Sequence, residues 1–530
     1  MASPEEHRIS IPDHNAGGSG VSVGPGIINE EYLSSLPSDP PNADEWWIRE
    51  MEYRIERGLA DSTLRPSNFK DETEDKICVS TLHERISQRR SDTEEGLSRP
   101  SVVRIGPFHR WHSSSISEDE KWVIVGLMNL LYGLDLRSCL VRIKNQVANA
   151  RSRYNIDELQ RFRCIKDPIS PYEMSDERSR FYNDKSFAEM LLLDSYFILF
   201  MLTIKLREGP TDYTLMPPTP KFTKEPLKLL QGYHFTFLDI IFNKEEIAPD
   251  LLIVDNQIPF FVIVIEELFE ELNLDKPLYE YALEFFERIH PRLALRSIDQ
   301  HSPPKFLHLL HLFHWSRVPQ NKYIELIISP SPQQLDVFDW VSQTLNAMEL
   351  RESATLFEKK TSGSSSPLDI TFHRRWFNRI IGVFHIPELH IRDYSSLIFH
   401  NLIAFEMQSS TRGRCTMAFS ALMRILLQSE EDVKLLRQRR ILVSSSMTDR
   451  QLIDLFARLS KLTENHQMPY DLFAICDQVQ SYHKNLVSRL CGGIIVQYFS
   501  KPVVALSVFV AALLFVPTLL QTIYAMIYHS

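Results

Sequence analysis

The sequence lacks several features that would point directly to a biochemical class. Its six cysteines are scattered and form no CxxC pair, which argues against a disulfide framework or a zinc site and favours reduced thiols in the cytosol. Basic residues do not predominate, since the net charge is −10 and the pI is about 6.0. Nucleic-acid binders need cations that neutralise phosphates, so we expect no nucleic-acid partner.

Motifs for catalysis and for cofactor binding are also absent. The sequence holds no P-loop, no GxGxxG followed by an acidic residue, no GxSxG and no HExxH. We therefore predict no catalytic residue, no cofactor and no metal site, and we do not expect an enzyme. His308, His311 and His314 recur every third residue, but each step turns about 60° around an ideal helix, so three metal ligands would not converge. We interpret these three histidines as surface or partly buried residues, and the turn histidines His109 and His112 as surface or packing residues.

The N-terminal region lacks the pattern of a secretory signal. MASPEEHRIS has no basic region followed by an apolar core, and no Asn-X-Ser/Thr sequon occurs in the sequence. We therefore expect that most of the protein is never exposed to the secretory lumen.

Residues 1–44 are rich in Pro, Gly, Ser and Asp, which predicts a disordered tail. Residues 45–77 begin with EWWIREMEYRIERGL, whose apolar spacing predicts an amphipathic helix that leads into the main domain.

The main domain, residues 78–500, is predicted to be mainly α-helical with a short β-hairpin. Apolar residues at helical spacing place helices at 121–140, 156–164, 185–206, 278–290, 334–356, 418–430, 448–463 and 471–490. A Pro-rich loop is expected over 208–226, and the hairpin over LDITF and VFHIPEL. A Ser/Gly-rich linker at 361–367 is a candidate boundary inside this domain.

The sequence is organised around the stretch DLLIVDNQIPFFVIVIEELFEE, residues 250–271. It contains two apolar runs, Leu251–Val254 and Phe260–Ile265, on either side of a polar hinge, Asp255-Asn256-Gln257. We expect Asn256 to cap a helix, Pro259 to lie in its first turn, and the helix to continue through Leu268. Asp255 here and Asp194 in the apolar helix 185–206 are carboxylates in apolar surroundings, and buried carboxylates must be paired, hydrogen-bonded or protonated. Structural pairing, for instance with an arginine, is the preferred interpretation, and a catalytic dyad is the alternative. Asp194 also makes helix 185–206 a core helix rather than a membrane span.

The C-terminal segment Pro502–Tyr528 contains no charged residue and is long enough to cross about 30 Å of hydrocarbon. We predict a single transmembrane helix within residues 501–530, with Pro517 tolerated inside it. A buried C-terminal helix is the alternative. Lys484, Arg489 and Lys501 precede the segment and only two residues follow, so the positive-inside rule predicts a tail-anchored protein whose bulk faces the cytosol. The plasma membrane is the favoured membrane.

Four motifs and the terminal segment occur in a characteristic order: IGPFH, MLLLDSYFIL, DNQIPFF, LIAFE and the apolar C-terminus. Together they resemble the plant family known as domain of unknown function 247 (DUF247), also called UPF0481, from about residue 78 to the end. The residues at the family's motif positions, which we expect to be structural, are Gly106, Pro107, His109, Asp194, Asp255, Asn256, Gln257, Pro259 and Glu406. The chain departs from the family pattern at Arg110, Ser195, Phe200 and Asp255, where the family usually has His, Gly, Glu and Glu.

This resemblance implies a membrane-anchored protein that acts in recognition or signalling by binding a protein partner. The family has no established biochemical activity, but grass members have been linked to the male, pollen side of self-incompatibility. The resemblance therefore favours a pollen-side self-incompatibility determinant. One alternative is a membrane-associated hydrolase that uses Asp194 and Asp255, and another is a passive tethering scaffold.

Overall fold

The computed structural model describes residues 48–55, 57, 94–110, 114–134, 136–154, 184–208, 213–216, 240, 243–264, 272, 274–289, 305–317, 346–360, 369–375, 381–408, 414–444, 446–463, 470–490 and 502–528. The chain divides into two compact units, residues 1–51 and residues 52–530. In the first unit the described residues, 48–51, are helical, and everything that follows concerns the second unit. The predicted helix at 156–164, the linker at 361–367 and His112 lie outside the described residues.

One buried helix organises the N-terminal half of the second unit. The helices of this half are α1 (Glu94–Leu97), α2 (Glu118–Tyr132), α3 (Leu136–Arg151), α4 (Asp184–Thr203), α5 (Lys244–Ile247), α6 (Phe260–Ile263), α7 (Leu278–Glu287) and α8 (Leu309–Arg317). Helix α4 is apolar on nearly all sides, and it contacts α2, α3, α6 and α7. Because 89% of its apolar segment Ser186–Thr203 is buried, the prediction of a core helix here is confirmed.

Two predicted boundaries in this half are wrong. The single helix expected over 121–140 is two helices, because Gly133 adopts φ +63° and ends α2, while the hydroxyl of Ser117 caps its start. The loop expected over 208–226 includes a strand, since β1 (Lys205–Glu208) pairs antiparallel with β2 (Tyr213–Met216).

The organising stretch forms two short helices rather than one long one. A 3₁₀ turn covers Asp250–Leu252, and α6 begins only after Pro259, which occupies the N-cap position. The expectation that Asn256 caps a helix is therefore wrong, as is the expectation that the helix continues to Leu268, since α6 ends at Ile263. The hinge between the two helices is irregular backbone, and its amide side chains are available for other partners.

The C-terminal half contains a small mixed sheet. Strands β4 (Thr371–Arg375) and β5 (Ile381–Ile386) form the predicted antiparallel pair, and β3 (Thr355–Lys359) adds a third strand parallel to β5. Phe357, Phe372 and Phe384 align across the three strands and bury one face of the sheet. The helix predicted over 334–356 is wrong at its end, because α9 (Ala347–Glu352) stops before β3.

Amphipathic helices complete this half and enclose a second apolar core. They are α10 (Ser395–Met407), α11 (Cys415–Leu426), α12 (Glu430–Gln438), α13 (Asp449–Lys461) and α14 (Tyr470–His483). Strands β6 (Leu389–Ile391) and β7 (Leu442–Ser444) pair in parallel. The helix predicted over 418–430 is two helices, because Ser429 caps the start of α12. The predicted helix 448–463 is confirmed as α13, with Thr448 as its cap.

The last helix, α15 (Pro502–Tyr528), has the bounds that the sequence predicts. Within it, Phe509–Tyr528 is long and apolar enough to cross a membrane by length and composition, and none of it is buried. Leu513, Leu514 and Phe515 are each more than half exposed. The alternative of a buried C-terminal helix is therefore wrong.

Candidate functional site

The motif residues from three distant segments meet at one buried polar cluster, which we call the motif junction and define as Gly106, Lys121, Asp194, Asp250, Asn256 and Gln257. Asp250 begins the junction, because its Oδ2 accepts the backbone N–H groups of Val102 at 2.6 Å and Val103 at 3.0 Å. The residue is fully buried, so these bonds form away from water. They hold the extended segment that leads to Gly106 against the hinge of the organising stretch.

Asn256 continues this attachment through both ends of its amide. Its Oδ1 accepts the N–H of Ile105 at 2.6 Å, and its Nδ2 donates to the carbonyls of Val103 at 3.0 Å and Asp250 at 2.9 Å. The side chain is 1% exposed. An amide can satisfy backbone N–H and C=O groups at the same time, whereas an ionised carboxylate only accepts hydrogen bonds and an ammonium only donates them.

Gly106 requires a conformation and a proximity that suit only glycine. Its φ is +73°, in the left-handed region, and its N–H donates to Asp194 Oδ2 at 2.7 Å. A Cβ added to Gly106 would lie 2.4 Å from the backbone oxygen of Gln257. The neighbouring motif residues Pro107 and His109 are buried. The Gly-Pro turn therefore lies directly against the hinge.

Asp194 is paired with a cation inside the protein. Its Oδ1 accepts a hydrogen bond from Lys121 Nζ at 2.6 Å, and both side chains are 1% exposed. The same ammonium donates to the carbonyl of Arg104 at 2.5 Å. Burial raises the pKa of the Asp194 carboxyl above its ordinary value, while the adjacent Lys121 ammonium opposes that rise. The partner is a lysine from α2, where the sequence had suggested an arginine.

Partly exposed charges surround this pair. Glu118 lies 3.6 Å from Lys121 Nζ and 3.0 Å from Arg110 Nη2. Burial raises the pKa of the Glu118 carboxyl, but the cations of Lys121, Arg110 and Arg104 outweigh that effect, so the pKa lies below its ordinary value. The helix start and the IGPFH segment are thus joined by opposite charges as well as by backbone hydrogen bonds.

Gln257 connects the junction to helix α8. Its Nε2 donates to the carbonyls of Leu251 and Ile253 at 2.8 Å each, and its Oε1 accepts the N–H of Leu310 at 3.2 Å. Its backbone carbonyl accepts the hydroxyl of Tyr154 at 3.0 Å. The Gln257 side chain thus engages three backbone groups and presents no reactive atom to solvent.

Asp255, which the dyad hypothesis paired with Asp194, has different surroundings. It lies in the turn of the hinge and is half-buried, whereas Asp194 directs its hydrogen bonds to Lys121 and Gly106. The two carboxyls therefore do not share a hydrogen bond. Each fills a separate position, one inside the core and one at the turn.

Another buried carboxylate, Glu406 on helix α10, caps the start of helix α11. Glu406 accepts the N–H of Thr416 at Oε1 (2.8 Å) and the N–H of Met417 at Oε2 (3.0 Å). His314 Nε2 lies 2.9 Å from Glu406 Oε1. The N-cap residue of α11, Arg414, makes no side-chain capping bond, so Glu406 satisfies the first helical N–H groups instead.

The interpretation of the three histidines as surface or partly buried residues is wrong for His314, which is 1% exposed. His308 and His311 are half-buried, and each Nδ1 accepts a backbone N–H, from His311 and Leu307 respectively. Within the described part of the chain, no group of three or more His, Cys, Asp or Glu side chains is placed to hold a metal ion.

Sequence reasoning missed several residues that complete these clusters. Sequence patterns assigned no special role to Lys121 in a predicted helix, to Asp250 at the start of the organising stretch, or to Asn401 beside the LIAFE motif. Asn401 Oδ1 accepts the N–H of Val254 at 3.0 Å, while its Nδ2 donates to the carbonyls of Leu97 and Leu397. The available signal was a polar residue at an otherwise apolar helical position. Such a residue needs a buried partner.

The cysteines described by the structure are consistent with isolated thiols. Cys139, Cys415 and Cys476 are buried and are not joined in a disulfide. Burial raises the pKa of the Cys476 thiol far above its ordinary value, which disfavours the reactive thiolate.

Comparisons with known proteins identify relatives across most of the chain. A family model, DUF247, described as a plant protein of unknown function, matches residues 85–517. A UPF0481 protein of Arabidopsis thaliana is 23% identical over 444 residues, covering 81% of this chain and 83% of the relative. A putative UPF0481 protein of the same plant is 27% identical over 85 residues, which is 16% of each chain. No solved structure matches the chain.

Proposed function

The chain belongs to the DUF247 family of plant proteins of unknown function, and we propose that it is a membrane-anchored recognition protein that binds a protein partner and performs no catalysis. The observation that carries this proposal is helix α15. It is 27 residues long, and its described side chains are exposed to solvent. In this proposal, α15 anchors a helical domain whose motif residues form hydrogen bonds inside the protein.

The length and surface of α15 support a membrane anchor. A helix of 27 residues is about 40 Å long at 1.5 Å per residue, enough to cross a hydrocarbon core of about 30 Å. Each large apolar side chain left in water forgoes about 1.5–3 kcal/mol of transfer free energy. A bilayer covers all sides of such a helix at once. Lys484, Arg489 and Lys501 precede the helix, so the proposed orientation places the bulk in the cytosol, with the plasma membrane favoured.

The motif junction supports a binding role over a hydrolase. Asp194 is 1% exposed and bound to Lys121 and Gly106, and the amides of Asn256 and Gln257 are occupied by backbone groups. A general acid or base needs access to a substrate proton, and the hydrogen bonds around Asp194 leave it none. A rigid helical domain built on such a junction is suited to presenting a surface to a partner.

The more specific role within this proposal is that of a pollen-side determinant of self-incompatibility in grasses. It rests on the family resemblance of the motifs. A passive tether is the competing role without a specific partner. A self-incompatibility determinant should bind a partner in a way that depends on the genotype of the pistil from which the partner is taken, whereas a passive tether should not.

Two experiments test the proposal. The first compares flotation with vesicles and resistance to carbonate extraction for the full chain and for the variant Leu513→Arg/Leu514→Arg. Each arginine near the middle of a span costs about 3 kcal/mol of insertion free energy, so the variant is expected to lose the membrane fraction. A matched control, Arg substitution at the exposed Val141 and Val443 of the helical domain, should float like the wild type. Equal extraction of wild type and Leu513→Arg/Leu514→Arg would contradict the anchor.

The second experiment is an affinity capture from pollen and stigma membranes with the same proteins. A partner retained by Leu513→Arg/Leu514→Arg would place recognition in the helical domain and leave α15 as a tether. A partner lost with that variant would make membrane placement part of recognition. Capture of no partner by either protein would contradict the recognition role and favour the hydrolase, with Asp194 and Asp255 as the residues to substitute.

A further inference from the structure

A short helix at residues 486–490 lies just before the anchor and is held to the domain by one face. Asn485 begins it, because its Oδ1 accepts the N–H of Val487 at 3.0 Å and its backbone carbonyl accepts the N–H of Arg489 at 3.2 Å. Ser488 is 2% exposed and therefore faces the protein. The orientation of the short helix is set by these contacts.

The opposite face of this short helix presents large apolar side chains to solvent. Leu486 is 74% exposed, Val487 is 51% exposed and Leu490 is 69% exposed. At 100° per residue these three lie within an arc of about 100°, and Ser488 lies on the other side of the helix. We call Leu486, Val487 and Leu490 the juxtamembrane patch. Three adjacent apolar side chains exposed on one turn form a surface suited to a partner that removes them from water.

The chain length between this patch and α15 restricts where the patch can lie. Eleven residues, 491–501, separate Leu490 from Pro502. A fully extended chain of this length reaches about 40 Å, and any less extended conformation reaches less. If α15 spans a bilayer, the patch must therefore lie within about 40 Å of the point at which α15 enters that bilayer.

We propose that the juxtamembrane patch inserts into the surface of the bilayer that α15 crosses, with Lys484 and Arg489 at its edge contacting anionic headgroups. Both cationic residues are exposed. Apolar side chains buried at the headgroup boundary, flanked by cations, are the usual means by which a helix binds at an interface. This inference rests on the proposed anchor. It adds a second membrane contact, which fixes the orientation of the helical domain instead of leaving it free on a tether.

The test places an environment-sensitive fluorescent amino acid at position 487 of the full chain through a nonsense codon. A second protein carries the same label at Val141, which is 43% exposed on helix α3 and serves as the matched control. Both are reconstituted in vesicles of phosphatidylcholine and phosphatidylserine, and the floated fraction is collected. We expect a blue-shifted emission and a several-fold weaker quenching by iodide at 487 than at 141.

Two further samples assign the shielding to the patch and to the cations. The variant Leu486→Asp/Leu490→Asp should float unchanged but quench at 487 as strongly as at 141, and its thermal unfolding should match the wild type, since both leucines are mostly exposed. In vesicles of phosphatidylcholine alone, shielding at 487 should fall, because Lys484 and Arg489 no longer face anionic headgroups.

The outcomes separate this inference from the proposed anchor. A floated wild type that quenches equally at 487 and 141 would overturn the inference and leave the anchor intact. Shielding at 487 that survives Leu486→Asp/Leu490→Asp would also overturn it, because another surface would then cover the label. Shielding that does not change in phosphatidylcholine alone would overturn the role of the two cations. A wild type that fails to float would overturn the anchor itself, and this inference with it.

Discussion

The substitution Gly106→Ala tests whether the motif junction holds the fold together. Gly106 has φ +73°, a conformation that costs an L-residue with a Cβ about 1–2 kcal/mol. The new Cβ would also lie 2.4 Å from the backbone oxygen of Gln257, closer than nonbonded carbon and oxygen atoms approach. Since that oxygen belongs to the backbone, the Gly-Pro turn must move away from the hinge.

The magnitude follows from the hydrogen bonds that this movement breaks. The bond from Gly106 N–H to the Asp194 carboxyl is charge-assisted and contributes about 1.5–3 kcal/mol, and the bond from Tyr154 to the Gln257 carbonyl contributes about 0.5–1.5 kcal/mol. Together with the conformational cost, the free energy of unfolding should fall by about 3–6.5 kcal/mol.

Gly133→Ala is the matched control. Gly133 has a similar φ of +63°, but an added Cβ would meet nothing within 4 Å, so this variant should lose only the conformational cost of about 1–2 kcal/mol. Urea unfolding of both full-length variants in the same detergent, followed by tryptophan fluorescence, gives the two free energies of unfolding. If Gly106→Ala is no more destabilising than Gly133→Ala, the tight packing of the turn against Gln257 is refuted.

Three further predictions concern the charged residues of these clusters, and urea unfolding measures each. Asp194→Asn removes the buried carboxylate that pairs with Lys121 and leaves only the partly exposed Glu118 near that ammonium, so it should cost about 3–5 kcal/mol. Lys121→Met/Asp194→Leu should cost less, and a double variant less stable than Asp194→Asn would contradict the pairing. Glu406→Gln places an NH₂ group against an N–H at the start of α11, such as that of Thr416, so the free energy of unfolding should fall by about 1–3 kcal/mol. An unchanged free energy of unfolding would show that Glu406 does not cap that helix. The pKa of Glu118 is lowered, so its stabilising effect is present above its ordinary pKa and is lost as the pH falls through the lowered value. Glu118→Gln should therefore lower the free energy of unfolding by about 1 kcal/mol at neutral pH and leave it unchanged once the pH has fallen below the lowered pKa of Glu118, and a loss that does not depend on pH would contradict this.

Local patterns in the sequence were sufficient for the elements whose stability is local. The bounds of α15 follow from an uncharged apolar run, the start of α13 from a threonine cap, and the pair β4–β5 from alternating apolar residues. The burial of α4 follows from apolar residues on all its sides. These signals lie within a few residues of the structures that they specify, so no knowledge of distant segments is needed.

The motif junction could be anticipated only as a set of unusual residues. Asn256 is a good helix cap in isolation, but in the folded protein its amide bonds the backbone at Val103 and Ile105, about 150 residues earlier in the chain. Likewise, the helix predicted over 334–356 includes the first two residues of β3, and those residues pair instead with Gly382 and Val383 of β5. In both cases, hydrogen bonds to a segment distant in sequence stabilise the observed conformation more than the local alternative would.

The sequence by itself determined the family, through the resemblance of its motifs. It also determined the mainly helical class, the core position of α4 and the apolar C-terminal helix, because composition and periodicity depend on the chain alone. Only the tertiary structure decided that Lys121 is the partner of Asp194 and that His314 lies beside Glu406. It also decided that Asn256 binds backbone instead of capping a helix and that Gln257 binds backbone as well. The physical reason is that a buried polar group must find a partner. Which partner it finds depends on the segments that folding brings within about 3 Å of it.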